Sequence, residues 1–372
     1  MKSIAFFTYS FVVKGGIERV IKLKIDALID NYKCNLILLY GNGEFSYKLN
    51  KIINVFCLNN EYYHIRKILI KNLILLKNII KKNNIKILIL EGRSSVLIPM
   101  LLKILLNFKI IFCDHESLYG YKLRSRRKNL KERICNSIDQ FLIIKLSDKI
   151  VTLTEKEKIE YLNLFHVSEV KVENIYNIVD PKLFCNVKNY SLNSKKIISV
   201  GRIDYQKGYE YLIEVAKFVF SKYPDWQWHI YGDGEAEYKN QIIDLIQQNN
   251  LQKHIILQGN RSDIYDLYQN YSFYVMTSRY EGLPMVLLEA KAKKLPIVSF
   301  DINSGPSDII RDGIDGFLIK PFDCQMMAEK ICELIENPEL RQKFSDNAHG
   351  NIDKFSKEKI IKQWCDLIDE LS

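Results

Sequence analysis

Short apolar runs alternate with longer stretches whose apolar positions recur every three or four residues, from one end of the chain to the other. The short runs are rich in β-branched residues and too brief for helices, so they read as buried strands. In the first half they are Ile4–Thr8, Asn35–Tyr40, Ile53–Cys57, Ile85–Leu90, Lys109–Cys113 and Lys149–Leu153. In the second half they are Lys196–Gly201, Trp228–Gly232, His254–Gly259, Phe273–Met276, Pro296–Phe300 and Gly316–Ile319. Strands spaced by helical patterns predict βαβ units and parallel sheets. The stretch from Val96 to Cys113 comes nearest to a membrane span. Pro99, Lys103, Asn107 and Lys109 interrupt it, and it reads as a helix followed by a strand.

Two such series predict an α/β chain with two doubly wound, Rossmann-like domains. The polar stretch Asn186–Lys195 is the expected boundary. Residues 1–185 then form the first domain and 192–355 the second. A last helix over 356–372 is expected to return to the first. In such sheets ligands bind beyond the C-terminal strand ends. With two facing domains, the cleft between them is the default site.

The 372 residues are 47% hydrophobic and 26% charged, which fits a globular protein and excludes a disordered one. Net charge is +10 and unevenly placed. Residues 1–190 carry 32 Lys and Arg against 17 Asp and Glu, whereas the remainder carries 22 against 27. The basic half points to an anionic partner. The eight cysteines form no CxxC pair and no zinc-site spacing, so buried free thiols in a reducing compartment are expected. The opening apolar run is too short for a signal peptide, and the expected location is cytoplasmic.

Candidate chemistry sits in the loops after strands. Glu281 and Glu289 lie eight positions apart, with Gly282-Leu283-Pro284 between them reading as a helix start. Pro suits the first helical position because its missing N–H would be unpaired there. From Pro284 to Glu289 the helix advances roughly 7.5 Å. Amides of Gly282 and Leu283 at a helix start form an anion site, with one carboxylate beside it and one further along. Gly15 and Gly16 allow a ligand close to the backbone just before a helix, though a plain tight turn explains them equally well. Arg202 and Lys207, in Gly201-Arg202…Lys207-Gly208, place two cations at a strand end, suited to phosphate. Further turns follow at Tyr231-Gly-Asp-Gly-Glu235, Gln258-Gly-Asn260 and Asn303–Asp308.

Together these residues resemble the retaining GT-B glycosyltransferases, specifically glycosyltransferase family 4. The family's pattern of two carboxylates separated by seven residues is matched by Glu281 and Glu289. Gly201-Arg202…Lys207-Gly208 resembles its donor-diphosphate loop, and Tyr231–Glu235 its next turn. Asp312-Gly-Ile-Asp-Gly-Phe-Leu318 resembles the motif near its C-terminal end, and Gly15-Gly16-Ile-Glu-Arg its glycine loop. Asn174–Asp180 is similar to the interdomain segment, with Ile178 where the family usually has Gly. The resemblance covers nearly the whole chain and is sharpest in the second half.

It implies a GT-B fold with an interdomain cleft and transfer from a nucleotide-sugar, most often a UDP-sugar. It implies that Arg202 and Lys207 neutralise the leaving diphosphate and that Glu289 accepts hydrogen bonds from ribose. Glu281 would lie by the donor sugar, while the Gly282 and Leu283 amides cap the phosphate. His115, in Cys113-Asp-His-Glu-Ser117, resembles the cleft histidine that contacts the sugar; a structural histidine is the plainer reading. No metal and no cofactor are expected, in keeping with the lack of an Asp-x-Asp triplet.

Ile65–Lys82 and the denser run Tyr121–Arg133 mix cations with apolar residues at helical spacing. The resemblance places a lipid-linked or oligosaccharide acceptor in the first domain. The expected partner is therefore an anionic membrane surface at the inner face of the cell membrane. No nucleic-acid motif accompanies the charge. The expected function is a transferase building a cell-surface polysaccharide or glycolipid. The alternatives are a sugar-nucleotide epimerase of the same fold and a non-enzymatic basic membrane-binding protein.

Overall fold

The computed structural model describes all residues but 13, 14, 42–44, 46, 62–64, 127, 186, 188, 189 and 372. Parts of the Ser10–Gly15 loop, of the 121–133 basic run and of the 186–195 stretch therefore lie outside the described residues. The chain divides into two units, Met1–Ile178 with Lys357–Ser372, and Val179–Ser356. The division falls at Ile178, the position where the resemblance departs from Gly.

The first unit is a seven-stranded parallel sheet of β1 (Ser3–Thr8), β2 (Lys33–Tyr40), β3 (Asn54–Asn59), β4 (Ile87–Glu91), β5 (Lys109–Cys113), β6 (Lys149–Thr152) and β7 (Val172–Asn174). Its order is β3-β2-β1-β4-β5-β6-β7, so the winding reverses between β1 and β4. Strand β7 is absent from the sequence reading. It has three residues, Val-Glu-Asn, too few to show any periodicity, and pairing with β6 alone makes it a strand.

Both sheet faces are buried, as an all-parallel sheet requires. One face packs on helices Gly16–Leu28 and Lys357–Glu370 through Ile21, Ile25, Trp364 and Ile368. The other packs on helices Ile65–Lys82, Leu97–Leu105, Leu130–Leu146 and Glu155–Phe165 through Leu76, Met100, Ile143 and Tyr161. The last helix is also held by ion pairs from Lys149 to Glu370 and from Lys2 to Asp369, each at 2.8 Å.

The second unit is a six-stranded parallel sheet of β8 (Lys196–Val200), β9 (Gln227–Tyr231), β10 (Ile255–Gly259), β11 (Phe273–Met276), β12 (Ile297–Phe300) and β13 (Gly316–Ile319). Its order is β10-β9-β8-β11-β12-β13, which reverses between β8 and β11. In an open α/β sheet the crevice forms where the order reverses, because loops on either side of that point wind away from each other. That rule singles out the loops after β8 and β11 in this unit, and those after β1 and β4 in the first.

No described helix is long and apolar enough to cross a membrane. The cysteines depart from expectation. Cys34, Cys113 and Cys332 are buried, but Cys57 and Cys185 are exposed and the other three half-buried. An apolar sequence neighbourhood did not imply burial: Cys57 lies on the edge strand β3, and Cys135 and Cys365 lie within helices that meet solvent on one side.

Trp364 is fully buried between the last helix and the sheet, beneath the Lys24 ammonium 4.6 Å from its ring. Trp364→Ala should cost about 3–5 kcal/mol, and urea titration should show the first unit unfolding at lower denaturant. An unchanged midpoint would mean the helix is not anchored there.

Candidate active site

The loop after β8 runs through Gly201 and Arg202 into a single 3-10 turn, Tyr205–Lys207. Asp204 starts that turn, its carboxylate accepting from the Lys207 amide at 3.2 Å. Gly208 closes it with φ at 62°, and a Cβ there would stand 2.4 Å from the Thr277 carbonyl oxygen. So the β8 loop lies directly against the loop after β11. Hydrogen bonds join the two loops, among them Arg279 N to Gln206 O at 2.7 Å, Arg279 Nη1 to Tyr205 O at 2.6 Å, Thr277 Oγ1 to Lys207 O at 3.1 Å, and Gln206 Nε2 to Tyr280 O at 3.1 Å.

This brings Lys207 and Glu281 together, 74 residues apart in sequence. Lys207 Nζ lies 2.6 Å from Glu281 Oε1. Ser278 Oγ donates to the same oxygen at 2.7 Å, and Gln206 Nε2 to Oε2 at 3.1 Å. The carboxylate is buried and oriented on both oxygens. Gln206 and Ser278 were missed in the sequence. Polar residues in a loop carry no signal until the partner loop is known. Arg202 is different: its side chain is 75% exposed and pairs with Asp204 at 3.4 Å.

Glycines in the neighbouring turn serve packing rather than ligand approach. Gly232 has φ at 141°, and its Cβ would sit 1.9 Å from the Gly201 carbonyl oxygen. A Cβ on Gly234 would sit equally close to the Ile203 carbonyl oxygen. Gly201 N donates to Tyr231 O at 2.9 Å and Ile203 N to Asp233 O at 3.0 Å. The Tyr231–Glu235 turn is thus a backbone brace under the cation loop.

After Glu281 the chain turns into the helix Met285–Ala292. Pro284 was expected at its first position. It caps the helix instead, extended at φ −72° and ψ 97°, and its carbonyl accepts from Leu287 N. Gly282 and Leu283 are buried, and among the described residues their amides donate to no backbone carbonyl. Buried amides without acceptors are rare. A helix N-terminus lies just beyond them, and its dipole favours negative charge.

Glu289 lies buried on the first turns of that helix, where Tyr268 Oη donates to its Oε2 at 2.8 Å. The helix is locked from below by a buried ion pair, Lys291 to Asp315 at 2.8 Å. Burial lowers the Lys291 ammonium to about 8 despite Asp315. Asp315 also takes Arg311 Nε at 2.7 Å. Hence the Asp312–Leu318 motif acts on the helix from its far end.

In the first unit, Gly15 caps the helix Gly16–Leu28, and a Cβ on Gly16 would meet nothing within 4 Å. The backbone is open at Gly16, whereas a Cβ on Gly15 would stand 2.3 Å from a Glu18 carboxylate oxygen. His115 follows β5 and is half-buried, its Nε2 2.5 Å from Glu91 Oε2 at the end of β4. Lys24 Nζ grips the same carboxylate at 3.0 and 3.1 Å. Burial pushes the Glu91 carboxyl up, but Lys24 and His115 outweigh it and hold it at about 2. Burial likewise disfavours the Lys24 cation, yet Cys113 and Glu91 raise it. The histidine is therefore held by the Lys24–Glu91 ion pair, and neither Lys24 nor Glu91 was singled out in the sequence.

Two doubly wound parallel sheets, with a cation–carboxylate pair at the switch point of the second, are the components of a GT-B glycosyltransferase. Comparison with known proteins agrees. Residues 14–183 match the family described as Glycosyltransferase Family 4, and residues 186–350 the one described as Glycosyl transferases group 1. An uncharacterized glycosyltransferase of Haemophilus influenzae is 31% identical over 370 residues, covering 99% of this chain and all of that one. A poly(ribitol-phosphate) alpha-N-acetylglucosaminyltransferase of Staphylococcus aureus is 30% identical over 300 residues, 79% of this chain and 57% of that one. The crystal structure of an S. aureus TarM mutant with fondaparinux, alpha-GlcNAc-glycerol and UDP superposes with a TM-score of 0.80 at 20% identity, over 99% of both chains. The chain belongs to the GT-B glycosyltransferases of the family 4 type.

Two outcomes follow from these contacts. Gly232→Ala forces a carbon against a carbonyl at positive φ. It should destabilise the second unit by about 1–3 kcal/mol, read as a lowered Tm; an unshifted Tm would contradict the brace. For Glu91, the folded carboxyl lies near 2 against an ordinary 4.5. Its stabilisation is present above pH 4.5 and is lost as pH falls toward 2. The stability of Glu91→Gln should therefore fall less steeply than wild type over that window. Parallel acid-side profiles would refute the pairing.

Proposed function

We propose that the protein transfers a hexose or N-acetylhexosamine, with retention, from a nucleotide-sugar to a lipid-linked or polysaccharide acceptor during cell-surface glycan synthesis. UDP is the proposed carrier. The S. aureus relative is named for N-acetylglucosamine transfer to poly(ribitol phosphate), and the TarM complex contains UDP. The proposed place of action is the inner face of the cell membrane, on its surface.

One observation carries the reading: the Lys207–Glu281 pair beside the buried amides of Gly282 and Leu283, at the switch point of the second sheet. As the glycosidic bond to the donor breaks, negative charge grows on the leaving phosphate. Groups already aimed at that charge lower the barrier without reorganising. Lys207 is held in place by Glu281, the exposed Arg202 meets the outer oxygens, and the two amides meet the phosphate from the helix start. Positive charge comes from the protein's own side chains, so the reading needs no metal. Glu281 lies beside the sugar, and its two oxygens are oriented by Ser278 and Gln206. Glu289, held by Tyr268, faces the ribose hydroxyls in this reading. In the first unit, His115, steadied by Glu91, serves the sugar, and Gly15 and Gly16, the second with open space beside its backbone, serve the donor.

Lys207→Ala and Glu281→Ala should each lower the transfer rate by about 10²–10³-fold, with Tm little changed. Purified protein would first be screened with UDP-, GDP- and ADP-sugars for hydrolysis, then with the preferred donor for transfer. The anomeric configuration of the product, read by NMR, checks retention. Wild-type rates in both variants would sink the site assignment, and an inverted product would sink the retaining mechanism.

A further inference from the structure

The helix Leu130–Leu146 covers one face of the first sheet, yet its first half makes little use of that sheet. Residues 130–134 are all exposed, and only Gln140 and Ile143 are buried along the whole helix. Leu130, Ile134, Ile138 and Phe141 are 72%, 53%, 49% and 59% exposed. At about 100° per residue, these four fall within an arc of roughly 80°. They form one apolar stripe pointing away from the protein and line a shallow hollow with Arg133 and Ser137.

Charges on this helix are sorted around the stripe. By the same helical geometry, Lys131 borders it on one side, Arg133 on the other, and Lys145 lies in line with it toward the C-terminal end. The acidic residues Glu132 and Asp139 fall on the opposite side. The stripe is also held rigidly. Asn129 caps the helix, its side chain accepting from the Glu132 amide at 2.9 Å. The basic helix Leu118–Arg126 is fastened to it by Tyr121 Oη donating to Asn136 O at 2.7 Å and Asn136 Nδ2 to Ser125 Oγ at 3.2 Å.

We propose that this face docks on an anionic lipid surface, with the four apolar side chains entering the headgroup layer and the flanking cations meeting lipid phosphates. An apolar stripe bordered by cations, with acids turned away, is the arrangement that binds such a surface. A second copy of the chain fits less well. Four side chains cover much less than the roughly 800 Å² per partner of a stable protein interface, and two such faces would oppose cation to cation. Nucleic acid fits less well still, since phosphates would then lie on the apolar stripe. The proposal deepens the membrane part of the function given above and rests on it. It assigns docking to Leu130–Leu146, whereas the sequence pattern pointed to Ile65–Lys82 and to the 121–133 run.

The test is sedimentation of the full-length protein with phosphatidylcholine vesicles, with and without phosphatidylglycerol. The wild type should bind the phosphatidylglycerol vesicles only, and binding should weaken as salt rises. Lys131→Gln with Arg133→Gln should weaken binding on the order of tenfold to thirtyfold. Ile134→Gln with Phe141→Gln should abolish it even at low salt. All four positions are on the surface, so the variants should keep wild-type Tm and wild-type hydrolysis of a soluble sugar donor. Failure of that hydrolysis in the wild type would strike the transferase reading and leave vesicle binding to be judged by itself. Equal binding to both vesicle types, undiminished binding by the apolar variant, or no binding by the wild type would each overturn the proposal. So would light scattering that shows a wild-type dimer lost in the apolar variant.

Discussion

The loops of the proposed site on the second sheet are placed where backbone meets backbone and no side-chain carbon fits. Gly232 and Gly234 let the turn after β9 rest on the carbonyls of Gly201 and Ile203. That contact sets the height of the cation loop above the strand ends. Gly208 then sets the loop against Thr277, so that Lys207 reaches Glu281. A larger residue at any of these positions would meet a backbone carbonyl oxygen, and the loop that carries Lys207 would have to shift. Charge chemistry here rests on steric permission a layer below it.

Buried charge is handled alike in both units. The Lys24–Glu91 ion pair holds His115 at the first sheet's strand ends, and Lys291, Asp315 and Arg311 form a second set at the far end of the site helix. Removing one partner from such a set leaves an uncompensated charge in a poor solvent, so the sets resist rearrangement. Each one fixes an element that carries a proposed site residue: the β5 end with His115, and the helix Met285–Ala292 with Glu289. The outer helix Leu130–Leu146 inverts this logic. Its charges stay in water, and its apolar residues are left uncovered.

Much of the fold was legible because buried parallel strands leave a plain trace. All twelve expected strands are present, with ends shifted by a few residues at most. The miss, β7, is a strand only through its neighbour. Pro284 was misplaced by one position because a proline suits both the cap and the first turn, and the loop after β11 decides between them. The burial of the cysteines was misread because composition nearby does not reveal which side of an element meets solvent.

The site divides along the same line. Lys207, Glu281 and Glu289 stand out in the sequence because charged residues beside glycine and proline at strand ends are unusual, and their spacing matches a known family. Gln206, Ser278 and Tyr268 orient those carboxylates and stood out in no pattern, as did Lys24 and Glu91 beneath His115. Each acts through a residue distant along the chain, from 21 positions for Tyr268 and Glu289 to 75 for Gln206 and Glu281, except Ser278, whose role depends on a turn only the packed loop adopts. Periodicity and local chemistry are properties of neighbouring residues, so the sequence by itself determined the strands, the helix starts and the kind of chemistry. Which loops touch, which charges are buried together and which apolar face is left bare depend on the sheet order, and only the tertiary structure decided them.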